Sequence, residues 1–193
     1  MVSILSLPRR PSSNLSSVGI FKTRFPKLYA RYHDCMVYVV QHASLKDAPI
    51  YNFWGVFASL AVNAGGQVWT LDHTDSDNYL GGLCVVVGFG PFDFRRSAKL
   101  VIDLGGESVE FELPPAIPLF LPSSIFSHYN TRIVGGDERR GSLVLWTSGK
   151  LFQWMDLGAR CRKDLSAAEL KLWLDGVQER IRTAFDLFPF FLT

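Results

Sequence analysis

The chain has 193 residues, 48% of them hydrophobic and 20% charged, with a net charge of +2. That length suits one domain with a sizeable core, and the balance excludes a disordered or fibrous chain. Cys35, Cys84 and Cys161 form no CxxC pair, which excludes a cysteine zinc cluster or disulfide framework and points to a reducing, intracellular compartment.

In chain order, residues 1–19, with "LPRRPSSNLSS", have the proline and serine content of a flexible tail. The tail is basic: no acidic residue precedes Asp34, whereas Arg9, Arg10, Lys22, Arg24, Lys27 and Arg31 all do. Such a segment reads as a nucleic-acid contact, as an organelle-targeting signal, or as a solvated end. Residues 20–193 read as a single domain. From Pro26 to about Ala43 an amphipathic helix is expected, with Leu28, Tyr32, Cys35, Met36, Val39 and Val40 on one side. The texture then changes to short β-branched and aromatic runs separated by Gly, Pro or Asp: "IYNFWGVFASLAV", "QVWTL", "GLCVVVGF", "KLVIDL", "SVEFEL", "IPLFL", "IFSHYN", "GSLVLW" and "LFQWM". Strands this closely spaced, with no helical crossovers, predict an antiparallel barrel or jelly roll with flanking helices. "GFGPF" opens no helix and is a turn, not a nucleotide fingerprint. A last helix is expected over "SAAELKLWLDGVQERIRTAF", begun by a Ser166–Glu169 capping box, with Leu170, Trp173, Leu174, Val177 and Ile181 packing on the sheet. No apolar run approaches the roughly 20 residues that cross a bilayer, so no membrane contact is expected.

Chemistry concentrates in "LDHTDSDN". On an extended strand end residues two apart share a face, so His73 and Asp75 can converge on one ion. The pair is cheap by itself: four histidines and twelve aspartates give H-x-D by chance in about one chain in four. His128, on another predicted strand, is the natural third ligand, because His33 and His42 fall on the first helix. Two histidines and one carboxylate leave open positions on an ion, the arrangement of non-heme Fe(II) oxygenases. In "RRGSLVLW", Arg140 and Ser142 are again two apart, and a guanidinium with a hydroxyl suits the distal carboxylate of a dicarboxylate. Arg139 takes that role if the strand register slips by one.

This ordered set resembles the Fe(II)/2-oxoglutarate-dependent dioxygenases. The segments "FPKLYARYH", "FASLAVNAGGQVWTLDHTDSDN", "GLCVVVGFGPFD", "KLVIDLGGESVEFELPP", "PSSIFSHYNTRI" and "RRGSLVLWTSGKLFQWMDLG" are similar to the fungal, transposon-associated branch of the TET and J-base-binding-protein dioxygenases. The resemblance implies a double-stranded β-helix, iron held by His73, Asp75 and His128, and 2-oxoglutarate anchored by Arg140 with Ser142. It further implies oxidation of a methyl group on a nucleic-acid base, 5-methylcytosine or another, in a nuclear protein acting on methylated DNA. A flipped base stacks on an aromatic; Trp69, Tyr79 and Tyr129 are nearest in sequence, and Asn78 and Tyr129 are the substrate contacts expected. The pattern departs from the family at "RRSAK" and at Ala116, where glycines are usual. A non-catalytic module that binds DNA or protein, and a dioxygenase acting on a small molecule or a protein, are the alternatives.

Overall fold

The computed structural model describes residues 17–45, 47 and 55–189. Two short N-terminal helices, α1 (Ser17–Arg24) and α2 (Pro26–Gln41), are followed by seven strands: β1 (Ser59–Asn63), β2 (Cys84–Phe89), β3 (Leu100–Asp103), β4 (Ser108–Phe111), β5 (Pro118–Leu121), β6 (His128–Asn130) and β7 (Gly141–Trp146). Helices α3 (Gly149–Asp156), α4 (Ala167–Asp175) and α5 (Val177–Phe185) complete the described chain. Among the described residues no helix is long and apolar enough to cross a membrane.

The strands form a larger sheet in the order β1-β7-β2-β5 and a smaller one in the order β4-β3-β6, with every pairing antiparallel. Apart from the β3–β4 hairpin, successive segments step from one sheet to the other. The chain between β1 and β2 joins the free side of β6 through a His73–His128 bridge, and an eighth, irregular strand position is thereby filled. This alternation is a double-stranded β-helix, or jelly roll, mainly β with flanking helices.

The strand sequences explain the layering. Along β2, Val85 packs toward the helices while Cys84 and Val86 face the smaller sheet, so the strand is buried on both sides and reads as an unbroken apolar run. On the helical side Phe21 is fully buried, with ring centroids 5.3 Å from Phe57 and Tyr32 and 5.7 Å from Phe120. The Tyr32 hydroxyl donates to the Leu83 carbonyl and accepts from the Leu83 amide, both at 3.1 Å, which ties α2 to the start of β2. Between the sheets, Leu100, Ile102, Leu113 and Leu121 make a second apolar cluster.

Several expectations are corrected. Ser17 to Gly19, assigned to the tail, begin α1, because the Phe21 ring two residues on anchors the segment; residues 1–16 of that tail lie outside the described residues. "LFQWM" is part of α3, not a strand. Its helix starts at Ser148, whose side chain accepts from the Lys150 amide, and one five-residue apolar window does not separate a buried helix turn from a strand. "QVWTL" contributes a single bridge, Gln67 to Arg140, and no strand. In "IYNFWGVFASLAV" residues 50–54 lie outside the described residues, and β1 occupies only the second half. Val40 is exposed, past the edge of the buried stripe of α2. The C-terminal helix keeps its capping box but breaks at Gly176, and Leu174 and Val177 of its stripe are exposed.

Candidate metal centre

His73 and His128 sit directly opposite one another. The His73 amide donates to the His128 carbonyl at 3.1 Å, and the His128 amide donates back to the His73 carbonyl at 2.9 Å. Directly opposed residues project to the same side, and the two imidazole centroids lie 4.4 Å apart. Asp75 follows two residues later, fixed by its amide to the Ser123 carbonyl at 2.9 Å, and its Oδ1 lies 3.6 Å from His73 Nε2. Ligand atoms from all three side chains fall within 4.8 Å of one another.

The surrounding bonds prepare these groups as ligands. Nδ1 of His73 is 2.8 Å from the Leu71 carbonyl, and Nδ1 of His128 is 3.0 Å from the Phe126 carbonyl. A carbonyl only accepts, so Nδ1 is the donor in both rings and Nε2 is the nitrogen left to meet an ion. The Asn78 amide nitrogen donates to Asp75 Oδ2 at 3.2 Å and to Ser123 Oγ at 3.0 Å, leaving Oδ1 turned to the histidines. Cys84 also lines the space, but burial pushes its thiol up to about 12 and keeps it neutral, which separates it from the ligand set.

These residues edge a cavity of about 530 Å³ between the sheets, walled by Val86, Leu100, Val144 and Trp146. The end of the cavity lined by Val68 and Ser142 is backed by Arg140, which is 1% exposed and bonded to Val68. Its Nη1 donates to the Val68 carbonyl at 3.1 Å, while Nε and Nη2 have no partner. Burial lowers its pKa, and among the described residues no carboxylate pairs with it. Ser142, on the same face of β7, accepts from the Asn63 amide at 3.1 Å.

The structure therefore brings together His73, Asp75 and His128, and sets Arg140 and Ser142 at the Val68 end of the cavity they edge. Arg139 faces outward, bonded to carbonyls of its own loop. Tyr129 occupies the outer face of β6, turned away from the cavity, in a shallow groove with Trp69 and Arg132. Tyr79 is a core residue, stacked on Phe152 at 4.1 Å. Asn78 lines the cavity but spends its amide on Asp75. Sequence reasoning missed Asn63 and Asn130, which both line the cavity. Asn130 had a signal: it stands two residues beyond His128 and so shares its face.

No family model and no curated protein matches the chain. Solved structures similar to it include the following three. NgTET1 in complex with 5mC DNA is 15% identical with a TM-score of 0.42, over 71% of this chain and 54% of that one. An oxidoreductase of the 2OG-Fe(II) oxygenase family from Burkholderia pseudomallei is 16% identical with a TM-score of 0.40, over 60% and 57%. A Pseudomonas putida prolyl-4-hydroxylase is 13% identical with a TM-score of 0.34, over 75% and 96%. The chain thus spans little more than half the length of the first two.

The chemistry of the donors decides what fits. Two imidazoles and one carboxylate suit Fe(II) with positions left open, whereas a structural zinc site would be closed by a fourth ligand. A buried guanidinium with two unpartnered nitrogens demands an anion. Fe(II) and 2-oxoglutarate fit this pair of sites.

Proposed function

We propose that the protein is an Fe(II)/2-oxoglutarate-dependent dioxygenase that oxidises a methyl group on a nucleic-acid base. The observation that carries this reading is a His-Asp-His ligand set at the rim of a cavity backed by a buried, uncompensated arginine.

When bound, iron and 2-oxoglutarate supply the activation of dioxygen that turns a C–H bond into C–OH, with the oxo acid consumed to succinate and carbon dioxide. The protein supplies geometry. His73 and His128 hold the ion through Nε2, each fixed by its Nδ1–H bond to a carbonyl. Asp75 gives Oδ1, with Asn78 restraining the other oxygen. Arg140 binds the far carboxylate of the oxo acid through Nε and Nη2, and Ser142, already an acceptor for Asn63, turns its hydroxyl proton to the same group. Val86, Val144 and Trp146 keep water from the space between.

The nucleic-acid substrate is supported by the sequence resemblance and by one surface feature. Arg132 lies 4.5 Å above the ring of Trp69, which is 41% exposed, and no carboxylate pairs with Arg132 among the described residues. A cation stacked on an exposed aromatic suits a phosphate-bearing strand with stacked bases. Tyr129, in the same groove, then meets a flanking part of the strand and not the reacting base. Action on methylated DNA goes with a nuclear location, and it is in keeping with the resemblance of the sequence to the fungal TET and J-base-binding-protein branch.

Anaerobic titration of the purified protein with Fe(II) and 2-oxoglutarate tests the reading. A weak visible metal-to-ligand band is expected, absent in His73→Ala; a well-folded wild type without the band rejects the dioxygenase. Mass spectrometry of methylated oligonucleotides after aerobic incubation tests the substrate. Turnover of 2-oxoglutarate to succinate on another substrate, with the base untouched, rejects the nucleic-acid part alone.

A further inference from the structure

We propose that Asn130 is a cosubstrate-binding residue that joins Arg140 on the distal carboxylate and makes the cavity selective for 2-oxo dicarboxylic acids. The inference rests on the dioxygenase reading above and adds a residue and a specificity to it.

Strand β6 is three residues long, and its alternation puts His128 and Asn130 on the inner face and Tyr129 on the outer one. Two residues along a strand advance about 7 Å. Asn130 therefore stands one diacid length from the metal ligands, on the same wall. Its direction from the metal is fixed by the neighbouring segment. Along that segment His73 bridges His128, Thr70 accepts from the Asn130 amide at 2.9 Å, and the Val68 carbonyl accepts from Arg140 at 3.1 Å. Metal ligand, asparagine and arginine thus follow one another in order, and the last two attach to positions two residues apart on one inner wall.

The hydrogen-bond accounting says what is missing between them. Asn130 is 8% exposed, and its Nδ2 has no partner. Among the described residues the buried side-chain nitrogens without a partner are Asn130 Nδ2, Arg140 Nε and Arg140 Nη2. The remaining unpartnered atom, Glu138 Oε2, belongs to a turn beside Gly135 and is an acceptor. Three buried donors without a partner, on two residues tied to Thr70 and Val68 of one wall, are costly when unmatched and suit the two oxygens of a carboxylate. An amide adds what the guanidinium lacks: a neutral donor reaching in from the sheet opposite β7. A 2-oxo acid ending in a methyl group would bind the metal equally well but leave all three donors unpaired. Rejection of that analogue follows from the unmade bonds and not from size, the situation in which polar sites discriminate most strongly.

The test is anaerobic calorimetry on the Fe(II)-loaded full chain, titrated with 2-oxoglutarate or with 2-oxopentanoate, for the wild type, Asn130→Ala and Asn130→Asp. The expected result is tight diacid binding by the wild type, a loss of about tenfold or more in Asn130→Ala, and a larger loss in the isosteric Asn130→Asp, which sets a carboxylate against a carboxylate. Monoacid affinity and Fe(II) affinity are expected to stay unchanged in both variants, which separates a lost contact from a loosened fold. Should Asn130→Ala lose Fe(II) affinity, Asn130→Asp, which keeps the shape, carries the test. Diacid affinity equal to wild type in the variants overturns the inference, as does a parallel fall for both acids. A wild type that binds Fe(II) but no 2-oxoglutarate overturns the dioxygenase reading itself.

Discussion

At the scale of single residues, the site depends on side chains that never touch an ion. Asn78 bonds Asp75 Oδ2 and Ser123 together, so the carboxylate has one free oxygen and one orientation. Outer partners of this kind typically carry 10- to 100-fold in metal affinity. Asn78→Ala is therefore expected to weaken Fe(II) binding by that order with an unchanged melting curve, measured by anaerobic metal titration; unchanged affinity would make Asn78 an ordinary turn residue. Arg140 illustrates the opposite balance. It is fully buried with unpartnered nitrogens, an arrangement that destabilises the ligand-free fold. Arg140→Met is expected to raise the urea midpoint of the apo protein by an amount corresponding to about 1–2 kcal/mol. The same variant should lose the stabilisation that 2-oxoglutarate gives the Fe(II)-loaded wild type. A variant less stable than wild type in the apo state would show that the arginine is compensated.

At the scale of elements, strands with β-branched runs bounded by glycine or proline were legible: β2, β3, β4, β5 and β7 all fall within their expected stretches. The nearness of His73 to Asp75 was legible because period-2 alternation puts residues two apart on one face, and the same rule pairs Arg140 with Ser142. What failed failed for nameable reasons. The "LFQWM" window was too short to show a helical period, and its Ser148 cap lay outside it. Tyr129 is near the candidate ligands in sequence, but alternation turns it to the face of β6 opposite His128, so a role beside the reacting base is not open to it. One departure from the family pattern has an energetic meaning. Ala116, where a glycine is usual, holds φ of 65° and donates its amide to the Gly88 carbonyl at 2.8 Å. A left-handed backbone penalises a Cβ by about 1–2 kcal/mol, partly offset by the greater unfolded-state entropy of glycine. Ala116→Gly is expected to stabilise the protein by about 0.5–1 kcal/mol in chemical denaturation; a loss of stability would mean that the Cβ makes contacts outweighing the strain.

At the scale of the whole molecule, the order of the segments was readable but their three-dimensional closure was not. Nothing local announces that the irregular stretch after β1 crosses to the smaller sheet, since it makes single bridges and no continuous ladder. That crossing is what brings residues 73 and 128 face to face. Because these histidines exchange both backbone bonds, their separation is set by the main chain, while Asp75 hangs from a turn by one amide bond and the grip of Asn78. The two imidazoles therefore form the side of the candidate centre that the backbone ladder dictates, and Asp75, steadied through Asn78, is the member whose placement a side-chain substitution can change.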